Sequence, residues 1–67
     1  MSIILGIDPG SRVTGYGILT SQGAELVYVA SGCIKTNVRG TIAERLDEIF
    51  SGVTELISQY HPDLLAI

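Results

Sequence analysis

Residues 6–17, GIDPGSRVTGYG, join two apolar segments through an acid and a turn. The first segment, residues 3–7 (IILGI), is a continuous apolar run of the kind found in strands that are covered on both faces. Asp8 follows it directly, and a Pro-Gly pair then turns the chain. Residues 13–20 (VTGYGILT) form a second predicted strand that carries two glycines. The stretch therefore predicts a strand with an acid at its carboxyl end and a returning strand beside it.

The remaining predicted elements are a third strand, one helix and a fourth strand. The third strand covers residues 25–36, and the fourth covers residues 63–67. Between them, Thr41 and Glu44 form a T-x-x-E capping box. Apolar residues then recur at spacings of three and four on one helical stripe: Ile42, Leu46, Ile49, Val53, Leu56 or Ile57, and Tyr60. In this β-β-β-α-β order, strand four runs parallel to strand one if the two are neighbours, and their carboxyl ends share one edge of the sheet.

The composition describes a single small domain, residues 1–67, with 46% apolar residues. Four Lys and Arg against seven Asp and Glu give a net charge of −3, which taken alone argues against nucleic acid as a partner. No apolar run reaches the ~18 residues of a membrane span, and no signal peptide pattern is present. The single Cys33 fits a reducing compartment and is expected in the core. These features predict a cytoplasmic protein that is not associated with a membrane.

Asp8 admits a structural and a functional interpretation. As a turn residue it would hydrogen-bond within its own Pro-Gly turn. As a functional residue it would occupy the end of an apolar strand, where α/β sheets gather their sites. Gly6 shares its face, and Gly15 and Gly17 leave a patch without side chains on strand two, although tight sheet packing also accounts for such glycines. A carboxylate beside a bare sheet surface suits Mg²⁺, which needs one or two carboxylates.

One carboxylate is too few for two-metal phosphoryl chemistry, which needs several acids around ions ~4 Å apart. Asp63 is the nearest candidate in sequence, but it begins strand four, roughly 15 Å along the sheet from Asp8. The position level with Asp8 on strand four is number 68, and the sequence given ends at Ile67. We therefore expect only part of a metal site within residues 1–67.

The motifs quoted above belong to a longer pattern with SGCIKT at 31–36, RL at 45–46, GVTELI at 52–57 and PDLLAI at 62–67. Together they closely resemble the N-terminus of the RuvC family of bacterial Holliday-junction resolvases. GIDPG alone is shared by several superfamilies, whereas DPGSRVTGYG followed by SGCIKT is specific. The resemblance implies an α/β, ribonuclease-H-like fold, of which residues 1–67 are the truncated β-β-β-α-β portion of a mixed sheet with a helix on one face.

The resemblance also implies a function, a cofactor and partners. Members of the family are crossover junction endodeoxyribonucleases that act as homodimers on four-way junction DNA in recombination and repair. A branch-migration motor of the RuvA/RuvB type is the implied partner complex. Two Mg²⁺ ions per active site are held by four acids, of which Asp8 matches the first and position 68 the second. Because the later acids lie beyond residue 67, this chain by itself is expected to be an inactive fragment, and its charge does not describe a whole protein.

Further site residues are implied near Asp8. Ser11, Arg12 and Thr14, in the turn after Asp8, would meet DNA phosphates. For Ser11 and Thr14, ordinary turn hydrogen bonding is favoured over a phosphate contact, whereas for Arg12 a DNA contact and a solvated turn remain equal alternatives. Gly15 and Gly17 would let the DNA lie close to Asp8, which places both in the predicted DNA-binding surface. At the end of strand three, solvated loop charges are favoured over DNA contacts for Lys35 and Arg39.

Two other protein classes share part of the pattern. YqgF-type nucleases also open with a GIDPG-like strand and act on RNA, but TGYG and SGCIKT fit the RuvC family better. Nucleotide-binding modules of the actin and sugar-kinase type share the β-β-β-α-β order and an early Asp, although their phosphate loops usually continue with a Gly-Thr or Gly-Ser pair. Binding of structured RNA or of ATP would distinguish these two from a junction nuclease.

Overall fold

The computed structural model describes residues 1–10 and 12–67, and its elements follow the predicted order. They are β1 (Ser2–Asp8), β2 (Val13–Gln22), β3 (Glu25–Lys35), α1 (Ile42–Tyr60) and β4 (Leu64–Ala66). β2 extends two residues further than predicted, because the turn into β3 is made at residues 23–24. Gly23 has a φ of 63° there, a left-handed conformation that glycine adopts without steric cost.

The four strands form one mixed sheet in the order β3-β2-β1-β4. β2 pairs antiparallel with both β1 and β3, and β4 pairs parallel with β1. The sequence left open which strand β4 joins, and the structure places it beside β1, where Gly6 lies level with Ala66. The carboxyl ends of β1 and β4 therefore lie at the same edge of the sheet, as expected for a strand–helix–strand crossover.

Helix α1 begins at the predicted capping box. The Thr41 hydroxyl accepts a hydrogen bond from the Glu44 backbone N–H at 3.1 Å, and the Glu44 carboxylate accepts one from the Thr41 N–H at 3.3 Å. These two bonds satisfy amide groups that have no partner within the helix. The helix ends where His61 turns to a φ of 48° and donates its backbone N–H to the Ile57 carbonyl.

The core lies between α1 and one face of the sheet. Leu5 of β1 and Ile18 of β2 are fully buried, and Leu56 of α1 packs on them. The predicted apolar stripe of α1 is buried only in part, because its first residues, Ile42 and Leu46, remain 75% and 61% exposed. The second half of the helix therefore holds α1 on the sheet, and its first half carries an uncovered apolar surface.

Gly52 has a packing role in the middle of α1. A Cβ atom at this position would lie 3.0 Å from the Ile34 side chain of β3, closer than nine in ten real Cβ contacts. Glycine in a helix interior costs about 1 kcal/mol relative to alanine. The close approach of α1 to β3 at Ile34 accounts for its presence here.

The opposite face of the sheet is not covered by α1 and is called the open face below. Because successive side chains of a strand alternate between faces, the positions that pair with one another on this side follow from the register. They are Ser2, Ile4, Gly6 and Asp8 of β1, Val13, Gly15, Gly17, Leu19 and Ser21 of β2, Leu26, Tyr28, Ser31, Cys33 and Lys35 of β3, and Leu64 and Ala66 of β4. The prediction that Cys33 belongs to the core is wrong, since its side chain is exposed on this face.

Among the described residues, no helix combines the length and the apolar character required to cross a membrane.

Candidate metal and nucleic-acid site

Asp8 is the last residue of β1 and projects from the open face. Its side chain is exposed, and its cross-strand partner is Gly15 of β2. A Cβ atom at Gly15 would lie 3.9 Å from the Cβ of Asp8, so the carboxylate stands directly beside a position that has no side chain. The predicted placement of Asp8 at a strand end next to a bare stretch of sheet is confirmed.

A shallow depression of about 470 Å³ opens beside Asp8. Its lining consists of Gly6, Ile7, Asp8, Gly15, Tyr16, Gly17, Gly32, Ala66 and Ile67. Four of these nine residues are glycines, so much of the surface offered to a ligand is backbone. Asp8 is the only charged residue in the lining. The depression therefore combines one carboxylate with a floor low enough for an extended polymer to lie close to it.

Gly15 and Gly17 could serve either tight sheet packing or a bare surface beside Asp8, and the space around each position distinguishes the two. At Gly17, a Cβ atom would have no neighbour within 4 Å among the described residues, and at Gly15 its contacts would be of ordinary length. Gly10 contrasts with both, because a Cβ atom there would collide with the Val13 carbonyl oxygen. Tight packing in the described part of the chain thus explains Gly10 but not Gly15 or Gly17.

Asp63 is separated from Asp8 by the length of the sheet, as predicted. Its carboxylate accepts a hydrogen bond from the Ile3 backbone N–H at 2.8 Å, and its own N–H donates to the Ile3 carbonyl at 2.7 Å. These bonds join the start of β4 to the start of β1. Asp63 therefore has a structural role at the opposite end of the strands.

Three of the predicted DNA contacts follow Asp8 closely in the sequence, and they are not equivalent. Arg12 is exposed, and its carbonyl accepts a hydrogen bond from the Thr36 hydroxyl at 3.4 Å. Ser11 lies outside the described residues. Thr14 is only 2% exposed and belongs to the face that α1 covers, as its pairing with Ile34 shows. The expectation that Thr14 contacts a phosphate needs correction, because its buried side chain offers DNA no surface.

The acids are unevenly distributed over the two faces and the two ends of the sheet. Four of the seven lie on α1, on the covered side: Glu44, Asp47, Glu48 and Glu55. Glu25 begins β3 and Asp63 immediately precedes β4, and the opposite ends of these two strands are the ones that lie near Asp8. Both acids therefore lie at the end of the sheet far from Asp8. Asp8 is thus the single acid of the open face within the described chain. The net charge of −3 comes mainly from acids that lie elsewhere and does not describe the open face.

The basic residues show the opposite pattern. All four lie at the end of the sheet where Asp8 lies: Arg12 before β2, Lys35 at the end of β3, Arg39 in the loop to α1 and Arg45 in the first turns of α1. The sequence pattern favours a solvated charge for Lys35, outside the predicted site residues. The signal that points to the site is the alternation of β3, which places Lys35 on the same face as Cys33 and hence Asp8.

The described residues could supply one ligand of a magnesium site, which is the Asp8 carboxylate. Mg²⁺ is held in proteins by one or two carboxylates and keeps water or phosphate oxygens at its other positions, and Asp8 supplies one exposed carboxylate beside free space. Within residues 1–10 and 12–67, no three His, Cys, Asp or Glu side chains lie together as a metal cluster. The described chain by itself therefore does not fit a two-metal site, which needs several acids.

Comparison with known proteins identifies the fold and the family of this chain. The sheet, its helix and the strand bearing Asp8 form a ribonuclease-H-like fold, shared with a solved structure described as T. thermophilus RuvC in complex with Holliday junction substrate. The TM-score is 0.84 at 26% sequence identity, over 97% of this chain and 40% of the other. The family model of the crossover junction endodeoxyribonuclease RuvC matches residues 4–67. The chain belongs to the RuvC family.

Individual relatives agree with this assignment. The crossover junction endodeoxyribonuclease RuvC of Vibrio campbellii is 57% identical over 67 residues, and that of Serratia proteamaculans is 60% identical over 67 residues. In both cases the match covers 100% of this chain and 38% of the relative. The chain thus spans less than half the length of the relatives that it matches.

Proposed function

We propose that residues 1–67 are the N-terminal part of the nuclease domain of a Mg²⁺-dependent endonuclease that resolves four-way DNA junctions. The observation that carries this proposal is the position of Asp8 on the open face, in a chain of the RuvC family. Relatives named as crossover junction endodeoxyribonucleases support the reaction, and the similarity to a RuvC bound to Holliday junction substrate supports the substrate.

In this proposal Asp8 holds one side of the metal site. Mg²⁺ bound there, as a pair of ions, would supply an activated water and would stabilise the leaving 3′ oxygen of a phosphodiester, so that hydrolysis leaves a 5′ phosphate and a 3′ hydroxyl. Gly15 and Gly17 keep the floor beside Asp8 low, which lets the sugar-phosphate backbone approach the carboxylate. Arg12, exposed in the adjoining turn, is placed to meet a neighbouring phosphate.

The other catalytic acids are proposed to come from residues outside 1–67. The parallel register sets Gly6 level with Ala66, so continuing it by two residues brings position 68 level with Asp8. A carboxylate there would face the same metal from the neighbouring strand. Relatives more than twice as long as this chain carry further residues that could complete the set. On this basis we propose that residues 1–67 alone do not cleave DNA.

The proposed biological setting follows from the family. A homodimer would place two such sites on one junction, which suits symmetric cleavage of two opposing strands. A branch-migration motor of the RuvA/RuvB type would deliver the junction, and the reaction would take place in the cytoplasm. The support for these three proposals is membership of the RuvC family.

The test is substrate choice by the full-length protein, meaning this segment continued to the length of its relatives. We expect Mg²⁺-dependent cleavage of a synthetic four-way junction and little cleavage of a linear duplex of the same sequence. Structured RNA and ATP serve as the comparison ligands. Preferential cutting of RNA would favour a YqgF-type nuclease, and ATP binding without cleavage of any nucleic acid would favour a nucleotide-binding module.

A further inference from the structure

We infer that Lys35 binds a DNA phosphate on the open face, close to the phosphate held at Asp8. This inference rests on the nuclease function proposed above and adds a binding residue to it. It concerns a side chain that, judged from the sequence, belongs to the solvated charges at the end of strand three. The register of the strands instead places Lys35 on the same face of the sheet as Asp8.

The strand register carries the first step. Asp8 pairs with Gly15, and Gly15 pairs with Cys33, so these three positions form one row across the open face. The next row begins with Val13, which pairs with Lys35. At strand spacings of about 4.8 Å and a rise of about 3.4 Å per residue, the Cα atoms of Asp8 and Lys35 are roughly 12 Å apart.

The surface between the two charged residues is the second step. Gly15 has no side chain and Cys33 has a small one, so no large side chain of the Asp8 row stands between the carboxylate and Lys35 in the next row. Val13 lies beside Lys35 and is 40% exposed. A strand of DNA crossing the row would therefore touch a flat floor, with a metal-binding acid towards one side and an ammonium group towards the other.

The charge environment of Lys35 is the third step. Among the described residues, Lys35 and Asp8 are the only charged side chains that the strands present on the open face. Lys35 is exposed, and its side chain has no hydrogen-bond or ion-pair partner in the part of the chain that the structure describes. Its ammonium group is thus available to an external anion, and the acids of α1 lie on the other side of the sheet.

Lys35 also differs from the three arginines in how it is positioned. Arg12 and Arg39 lie in connecting segments, whereas Arg45 lies on α1 and donates to the Thr36 hydroxyl. Lys35 belongs to a strand, so the sheet sets the face to which it points. A lysine contributes a point charge with rotatable donors and no planar fork, which suits contact with a phosphate irrespective of the base attached to it.

The experiment replaces Lys35 in the full-length protein and measures binding of a four-way junction as a function of salt. Binding is measured in the Asp8→Asn background, so that the junction stays intact. One phosphate contact contributes about 0.9 to the slope of log K against log salt. We expect Lys35→Gln to reduce that slope by about 0.9 and to weaken binding roughly eightfold in about 0.1 M salt. Lys35→Arg, which keeps the charge, should have the salt slope and the affinity of the parent.

Cleavage kinetics and a matched control separate the role of Lys35 from general damage. With Asp8 intact, Lys35→Gln should raise KM and leave kcat within about twofold of the parent, since the contact lies beside the reacting phosphate and not on it. Glu25→Gln, at the other end of β3, should leave the salt slope unchanged. A Lys35→Gln variant with the parental salt slope overturns the inference. A parent that neither binds nor cuts the junction overturns the proposed function, and the inference with it.

Discussion

Asp8 and Gly15 face each other across the β1–β2 ladder, and a Cβ atom at Gly15 would lie 3.9 Å from the Cβ of Asp8. The space beside the carboxylate is therefore the space that a side chain at position 15 would occupy. Nothing in the described part of the chain fills it. The role of the Asp8 carboxylate and the role of the free space at Gly15 can therefore be tested by separate substitutions.

Replacement of Asp8 by Asn in the full-length protein should abolish junction cleavage and largely preserve junction binding. Asn keeps the size of the side chain but removes the charge that holds Mg²⁺. The loss of cleavage rate should be on the order of 10³-fold or more, because residues that act as one catalytic unit fail together. The measurement is single-turnover cleavage of a labelled four-way junction, with binding followed by gel shift.

The matched control for this substitution is Asp63→Asn. The substituted side chain keeps an amide oxygen that can still accept the hydrogen bond from the Ile3 N–H, so folding and cleavage should both stay near parental values. Cleavage that survives Asp8→Asn would contradict the metal role of Asp8. An equal loss in both variants would point to general damage to the sheet.

Val at Gly15 or Gly17 should impair cleavage much more than folding. Both positions have room for a side chain in the described structure, and valine is favoured over glycine in strands, so the free energy of unfolding should change by no more than about 1 kcal/mol. The new side chain would stand on the floor beside Asp8 and hold the DNA backbone away from it. Urea unfolding and cleavage rates measured on the same samples provide the test.

Gly10→Ala is the informative contrast to the valine variants. A Cβ at position 10 would collide with the Val13 carbonyl oxygen, so this smaller substitution should destabilise the fold. If Gly15→Val or Gly17→Val cleaves at the parental rate, the open floor has no part in the reaction and these glycines have another explanation.

Gly52→Ala should destabilise the protein even though alanine is the better helix former. The propensity gain of about 1 kcal/mol is opposed by a Cβ atom 3.0 Å from the Ile34 side chain, and overpacking of this kind costs about 1–3 kcal/mol. We expect a net loss of about 1 kcal/mol in urea unfolding. A stabilised variant would show that Ile34 moves away freely.

A double-mutant cycle with Ile34→Val identifies the contact responsible for this loss. Removing the terminal methyl of Ile34 relieves one of the close approaches to position 52. The combined variant should therefore be less destabilised than the sum of the two single changes. Simple additivity would mean that the cost at position 52 arises elsewhere.

Residues 1–67 expressed alone should self-associate. Only three apolar residues of the described chain are buried, whereas Leu26, Tyr28, Phe50 and several others are more than half exposed. Surfaces of this kind associate in water. Sedimentation velocity over a range of concentrations is the measurement, with Phe50→Glu as a variant that should weaken the association if α1 contributes to it. A monomer that melts cooperatively at all concentrations would contradict the expectation.

Local patterns were sufficient to predict the elements of this fold. The capping box at Thr41, the helix end near His61 and the strand end at Asp8 all depend on residues within a few positions of each other, and the structure has all three. Alternation likewise placed Gly15 and Gly17 on one face of β2, since the two-residue period is a property of a single strand.

Which face of each strand is covered could not be predicted in the same way. Thr14 was a candidate for contact with DNA and Cys33 was expected in the core, but in the structure Thr14 is buried and Cys33 is exposed. Alternation divides a strand into two sets of side chains but does not say which set meets the helix. That choice is made by Leu56, which packs on Leu5 and Ile18 from distant parts of the chain.

Neighbouring residues and short motifs were enough to establish the elements of this protein, the acid at the end of β1 and the resemblance to a nuclease family. Three further facts emerged from the folded chain alone: β4 lies beside β1, the acids of α1 lie behind the sheet, and Lys35 shares the open face with Asp8. Strand pairing and helix docking join residues that are far apart in the chain, so their outcome depends on the packing of the whole domain.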